Sequence, residues 1–255
     1  SLASHMPAAP EPRKPMAFVL PSNAPGVHAA WLTALALGHP VVLKPGAREP
    51  WTPYRLTELL WRAGLPRSMV GIYPGDHATS RAIVQTATSC VLFGDEATVE
   101  RYHGVSSVDV RGPGRSKALV SAEAARDPEL VTKLAHAITE FGGRSCLNTS
   151  SIGVMGGSRS DLEDLREALE GVFKLMEPDA LAAWPTRAEA QGIASWLRKL
   201  GGPEATPGLV QRGDGLWALE ARAVVVDPWT AELASLEAPC PWVGLTSLSE
   251  SQCSD

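Results

Sequence analysis

Four cysteines, an asparagine in a proline-rich turn and a lysine closing an apolar run are the residues whose chemistry has to be placed first. Cys90, Cys146, Cys240 and Cys253 are scattered with no CxxC spacing, which suggests neither a zinc cluster nor a disulfide framework. Cys146 stands apart by its setting: it follows Gly142-Gly143-Arg144-Ser145 at the end of a helical pattern and precedes an apolar run. A thiol so placed can act as a covalent nucleophile on a carbonyl or thioester carbon. A free thiol is more commonly a small buried hydrophobe, and on spacing alone that reading wins. Asn23 sits in Pro21-Ser22-Asn23-Ala24-Pro25-Gly26, where its amide can serve the turn, stabilise an oxyanion, or both. Lys44 follows Val41-Val42-Leu43, and a lone lysine there is ordinarily solvated surface. His28, His39, His77, His103 and His136 have no metal-ligand spacing with one another or with the cysteines, so no metal is expected.

From Met16 onward, short apolar runs alternate with helical patterns. Runs at 17–20, 41–43, 70–73, 90–93 and 105–110 read as strands, and 27–37, 53–63, 77–87 and 96–102 as the helices between them. Such alternation over short loops predicts βαβ units and a parallel sheet, with right-handed crossovers placing helices on both faces. Lys44 then ends the second strand, at the edge where open α/β sheets bind ligands. Past residue 120 the pattern changes. A helix over 127–141 leads into the Gly142-Gly143 turn, and 151–155 reads as a strand. Ser160 with Glu163 reads as a capping box opening a helix to 176, with Leu162, Leu165, Leu169, Val172 and Phe173 on one stripe. Thr186 with Glu189 opens another helix, ended by Gly201-Gly202; strands are expected at 209–210, 216–219 and 223–226. The expected fold class is α/β, a Rossmann-like parallel domain over 16–125 plus a smaller α/β domain over 126–255. Residues 1–15 read as a tag remnant, Ser4-His5-Met6, followed by a disordered proline-rich tail.

Composition narrows the function classes. The 255 residues are 44% hydrophobic and 20% charged, which is a globular balance. Lys plus Arg number 23 against 28 Asp plus Glu, a formal charge of -5, which argues against nucleic acid and anionic membrane as partners. No apolar run approaches the roughly 18 residues of a membrane span. A soluble, cytoplasmic protein of a reducing compartment is expected.

Several segments together resemble the aldehyde dehydrogenase superfamily, including its acyl-CoA and acyl-phosphate reductase branches. Pro21-Ser22-Asn23 is similar to that family's Pro-x-Asn after the first strand. Gly38-His39-Pro40-Val41-Val42-Leu43-Lys44-Pro45, then Pro50, resembles "GN-x-VVLKPS…TP". Ala63-Gly64-Leu65-Pro66 and Tyr73-Pro74-Gly75 resemble "AGLP…VPG", and Phe93-Gly94 sits where the family has "FTGS". Gly114-Arg115-Ser116 with Ala118-Leu119-Val120 resembles "GKS…IV", Gly143-Arg144-Ser145-Cys146 the nucleophile motif "GQ-x-C", and Glu237-Ala238-Pro239-Cys240-Pro241 "E-x-FGP". Their order and spacing over 16–245 carry the resemblance. It implies an aldehyde dehydrogenase-like fold with the first domain binding a nicotinamide cofactor and the second carrying the catalytic cysteine.

At residue level the resemblance implies that Cys146 is the nucleophile and that Asn23 and the Cys146 backbone N–H form the oxyanion hole, where each donor can contribute ~3 kcal/mol. Lys44 would contact adenosine ribose hydroxyls, Gly94 would let the backbone approach the cofactor, and Glu237 would bind the nicotinamide ribose. Ala47 stands where the family has a ribose-binding acid, and Arg48 adds positive charge, so NADP(H) is favoured over NAD(H). Asp95 replaces the family's serine, and a carboxylate near a pyrophosphate weakens the cofactor expectation. The Rossmann GxGxxG is absent here, as it is in the family. Arg111 falls where the family carries the carboxylate that activates water, so hydrolysis of an acyl-enzyme should be slow. The expected function is NAD(P)H-dependent reduction of an acyl thioester, carried by coenzyme A or a carrier protein, to an aldehyde. The alternative is a degenerate, non-redox binding or scaffold subunit. Family members run longer on both sides, and Trp217, Val224, Val225, Val226 and Trp242 would lie on strands lacking their usual neighbours; a homo-oligomer or a complementing subunit is therefore expected.

Overall fold

A computed structural model describes residues 13–226, 232 and 236–249. The chain divides by its contacts into two units, Ser1–Pro113 and Gly114–Asp255. The first is a wholly parallel sheet in the order β3-β2-β1-β4-β5, made of β1 (Met16–Val19), β2 (Val41–Lys44), β3 (Val70–Ile72), β4 (Cys90–Phe93) and β5 (Val108–Arg111). The helices α1 (His28–Ala36), α2 (Trp51–Arg62), α3 (His77–Thr86) and α4 (Glu96–Tyr102) form the crossovers. Strand alternation sorts the core onto two faces. Phe18, Val41, Leu43 and Val91 pack with Trp31 and Leu35 of α1, while Ala17, Val19, Cys90 and Leu92 pack with Val84 of α3. Burial on both faces is why these strands read as unbroken apolar runs.

The second unit holds a parallel sheet in the order β11-β12-β7-β6, from β6 (Ser116–Ser121), β7 (Thr149–Met155), β11 (Arg222–Val225) and β12 (Trp242–Leu248). Three short strands, β8 (Ala183–Trp184), β9 (Leu209–Gln211) and β10 (Trp217–Leu219), form an antiparallel sheet in the order β8-β10-β9. The helices are α5 (Pro128–Thr139), α6 (Arg159–Phe173) and α7 (Arg187–Gly201). Leu162, Leu165 and Leu169 of α6 and Ile138 of α5 pack on Ile152 and Leu245, placing one core against the larger sheet. Ala190, Ala194 and Leu197 of α7 pack with Trp184, Leu219 and Trp242 in a second.

The structure departs from the sequence expectation in five respects. The units divide after Pro113 rather than near 125, because 116–121 is a strand that pairs with β7; this gives β6 to the second unit, which is the larger and not the smaller of the two. The capping box of α6 is Ser158 with Asp161, not Ser160 with Glu163: Ser158 Oγ accepts the Asp161 N–H, and Asp161 accepts from the Ser158 backbone. Of the expected tail, residues 1–12 lie outside the described residues, but Lys14 O bonds to His39 Nδ1 at 3.0 Å and Arg13 lies 3.3 Å from His39 Nε2, so its last part is anchored. Val224, Val226 and Trp242, expected to be uncovered, are buried in the second core. Lys44, expected as solvated surface on the residue reading, is only 7% exposed. Cys253 lies outside the described residues. No helix among the described residues is long and apolar enough to cross a membrane.

Candidate active site

Cys146 lies on a loop between α5 and β7 whose backbone is constrained at nearly every step. Phe141, Gly142 and Gly143 all adopt left-handed conformations, with φ of 51°, 68° and 74°. For a phenylalanine this is strained, and such strain persists only where the surroundings enforce it. Glycine is required twice over: a Cβ on Gly142 would overlap the backbone of Ala182, and one on Gly143 would overlap Pro241 and Cys240. Asn148 staples the loop to the helix before it. Its Oδ1 accepts the Ser145 N–H at 2.7 Å, and its Nδ2 donates to the carbonyls of Ala137 and Glu140, each at 3.0 Å. Arg144 stacks on Trp184 at 4.7 Å and donates to Ala183 O at 2.7 Å.

Two further segments close on this loop within the same unit. Ser116 Oγ donates to the Cys146 carbonyl at 3.1 Å. Gly114 passes so near that a Cβ there would overlap Cys146 O. Glu237 accepts the Arg115 N–H at 2.7 Å, where Arg115 is itself held at φ 47°. The structure thus joins the three segments 114–116, 142–148 and 237–241. Glu237, implied as a ribose ligand, has one oxygen engaged by the chain's own backbone.

The three described thiols differ physically. Burial pushes the Cys90 thiol up to about 11 and the Cys240 thiol up to about 12, the latter despite the nearby Arg144 charge. Both are buried, whereas Cys146 is partly exposed. Among the described thiols, only Cys146 combines access with a fixed backbone.

The remaining candidates belong to the first unit, at the carboxyl ends of its strands. Asn23 and Ser22 follow β1 and line a pocket of about 250 Å³ with His28, Glu49 and Thr52. Burial lowers the pKa of His28, against the opposing pull of Glu49, and its Nδ1 accepts the Trp31 indole N–H at 3.0 Å. Lys44 closes β2, and the backbone N–H groups of Arg48 and Glu49 both donate to Ser22 Oγ at 3.2 Å, tying the β1 and β2 ends together. Gly94 closes β4, its N–H on Arg111 O at 3.1 Å; a Cβ there would strike the Thr98 side chain. Asp95 is the N-cap of α4: its carboxylate accepts the Thr98 hydroxyl at 2.7 Å and the Thr98 N–H at 2.9 Å, which hold its pKa below the usual carboxylate range. The buried Lys44 fits ribose hydroxyls. The α4 terminus does not fit a pyrophosphate, because an ionised side chain of the protein already occupies it. Arg111 pairs with Asp109 at 2.7 Å as an exposed cation, so this position supplies a guanidinium and no base.

Sequence reasoning missed Ser116, Lys117, Asn148 and Ser150. The available signal was polar residues repeated at the starts of β6 and β7, in strands otherwise apolar.

Fold and site define a two-unit α/β protein that presents a thiol on a glycine loop. The sequence model described as the aldehyde dehydrogenase family matches residues 8–181, and the chain belongs to that family. It is 29% identical over 166 residues to a malonate-semialdehyde dehydrogenase of Listeria innocua, covering 60% of this chain and 33% of that protein. A phenylacetaldehyde dehydrogenase of Pseudomonas fluorescens is 31% identical over 142 residues, covering 51% of this chain and 28% of that protein. Among solved structures, an indole-3-acetaldehyde dehydrogenase of P. syringae in complex with NAD+ superposes with a TM-score of 0.79 at 20% identity, over 95% of this chain and 53% of that one. The chain thus spans about a third of these curated relatives and about half of that structure. Cys146 falls inside the matched family range and Glu237 outside it, so the place of Glu237 rests on its packing.

Proposed function

We propose that the chain is a nicotinamide-dependent oxidoreductase that interconverts an acyl thioester and its aldehyde through Cys146. The carrying observation is that Cys146 is the accessible described thiol, on a backbone pinned at Ser145 N and Cys146 O. The Cys146 thiolate attacks the thioester carbonyl and expels the carrier thiolate, which takes a proton; the acyl group is then held on sulfur. The Cys146 N–H stabilises the oxyanion of that step. Lys44 would hold the ribose of a nicotinamide dinucleotide, and the chemistry that group would supply is hydride transfer to or from the acyl carbon. With Arg111 in place of a carboxylate, a thiol rather than water is the acyl acceptor. Relatives named as dehydrogenases of malonate semialdehyde and phenylacetaldehyde support the aldehyde as one of the two organic partners. Ala47 and Arg48 favour NADP(H), and coenzyme A or a carrier protein supplies the thiol. Asp95 at the α4 terminus favours a second reading, a binding subunit without redox chemistry. The test is to incubate the chain with an acyl-CoA and NADPH, and separately with aldehyde, NADP+ and free coenzyme A. Turnover in both directions, lost in Cys146→Ser, is expected. Absence of any calorimetric signal for either dinucleotide supports the second reading instead.

A further inference from the structure

The Cys146 carbonyl is the end of a hydrogen-bond chain that begins at a lysine. At the start of the β6–β7 pair the register shifts: Ser116 faces Thr149, but Lys117 faces Ser151, leaving Ser150 as the extra residue of a bulge. Consecutive side chains of a regular strand point to opposite faces. A bulge re-aims them, and here two successive hydroxyls meet one ammonium. Lys117 Nζ donates to Ser150 Oγ at 3.0 Å and to Ser151 Oγ at 3.2 Å. Ser150 Oγ in turn donates to Ser116 O at 3.2 Å, and Ser116 Oγ to Cys146 O. Ser150 and Ser151 are buried. Burial and the Arg115 charge lower the Lys117 pKa, while Glu237 raises it, so the ammonium lies in the same corner as Arg115 and Glu237.

We propose that Lys117 is a positioning residue for the nucleophile, joining the two bulge hydroxyls and, through Ser150 and Ser116, fixing the peptide that follows the Cys146 sulfur. This rests on Cys146 being the nucleophile. Asn148 holds the Arg144–Ser145 peptide and the Lys117 chain ends on the Cys146–Leu147 peptide, so side chains fix the backbone on both sides of the thiol. A positioning error on the ångström scale can cost about 100-fold in rate, which is why such a tether matters to chemistry and not only to folding. An apolar residue at 117 leaves two buried hydroxyls without their ammonium donor.

The test compares wild type, Lys117→Met, Lys117→Arg and Ser150→Ala by iodoacetamide labelling with peptide mapping, kcat against KM, and thermal melting. Lys117→Met is expected to slow Cys146 labelling and lower kcat about tenfold with KM unchanged, Ser150→Ala to act in the same direction, and Lys117→Arg to restore part of both. Lys117→Met that labels and turns over within about twofold of wild type overturns the proposal, as does a loss of melting temperature alone. If Lys117→Met does not fold, Ser150→Ala decides, because it leaves the ammonium its Ser151 partner and removes the hydroxyl that links Lys117 to Ser116. Wild-type label on a thiol other than Cys146 overturns the functional reading and this proposal with it, whereas label on Cys146 at equal rates in all variants overturns the proposal alone.

Discussion

A thiol reacts as its thiolate, so burial separates the cysteines of this chain. Cys90 and Cys240, pushed up to about 11 and about 12, remain protonated near neutral pH, while Cys146 has solvent access. Brief alkylation near pH 7.5 should therefore mark Cys146 among the described cysteines, and substrate should protect it; protection mapped to Cys90 or Cys240 would move the site. Gly114 offers a sharper probe, because a Cβ there would overlap the Cys146 carbonyl. Gly114→Ala should lower the melting temperature by the equivalent of about 1–3 kcal/mol, as overpacking does, and should reduce Cys146 labelling along with it. Melting and labelling like wild type would show that the loop can yield. The turn before Cys146 was legible in the sequence because glycine makes a left-handed turn without strain, whereas the choice of Cys146 as nucleophile came from the family resemblance and not from its spacing. Lys117 could not, because its role depends on a bulge that only pairing with β7 creates.

The elements most legible in the sequence were those buried on both sides. Strands β1 to β4 carry no charged residue except Lys44 at the end of β2, so each was found to within a residue or two at its ends. Edge strand β6 alternates half-buried and exposed positions, and β12 carries Gly244, Thr246 and Ser247; neither gives a plain apolar signal, and pairing defines both. Helix starts are set by which competing hydroxyl wins. Ser158 prevailed over Ser160 because Asp161 can answer its backbone N–H and Arg126 braces that carboxylate at 2.6 Å. The Ser158 bonds, with Arg126 adding to them, hold Asp161 down to about 2, against an ordinary 3.8. A carboxylate whose folded pKa is depressed stabilises the fold above the unfolded value, and that contribution is lost as pH falls from about 4 toward 2. The melting difference between wild type and Asp161→Asn should accordingly be full at neutral pH and vanish near pH 2; a pH-independent difference would place the cap's contribution elsewhere. Asp95 plays the capping part at α4. Asp95→Ser keeps a capping oxygen but removes the charge, so helix stability should change by less than about 1 kcal/mol while dinucleotide affinity rises. Unchanged affinity by calorimetry would mean that no phosphate approaches this terminus.

At the scale of the molecule, the expected exposed apolar face of the 209–245 region is not what remains open. Val224, Val226 and Trp242 are buried, so the hydrophobic argument for association there is removed. An edge is left in its place. β11 ends the sheet order, and among the described residues no strand pairs with its outer side. Arg222 N donates to Pro241 O and Val226 N to Leu245 O, both toward β12. Along a parallel strand the donors alternate in direction, so the N–H groups of Ala223 and Val225 point to the open edge. Among the described residues no strand answers this edge, and such an edge is a template for another strand; we propose β11 as the place where a second copy of the chain would add. Val225→Pro removes one outward donor and no bond to β12, in the position where an edge strand tolerates proline. Sedimentation at micromolar concentration should show wild type self-associating and Val225→Pro shifted toward monomer, with the far-ultraviolet spectrum preserved. A wild-type chain that sediments as a monomer and turns over substrate would show that β11 is a bare edge the protein tolerates, and that one copy is sufficient.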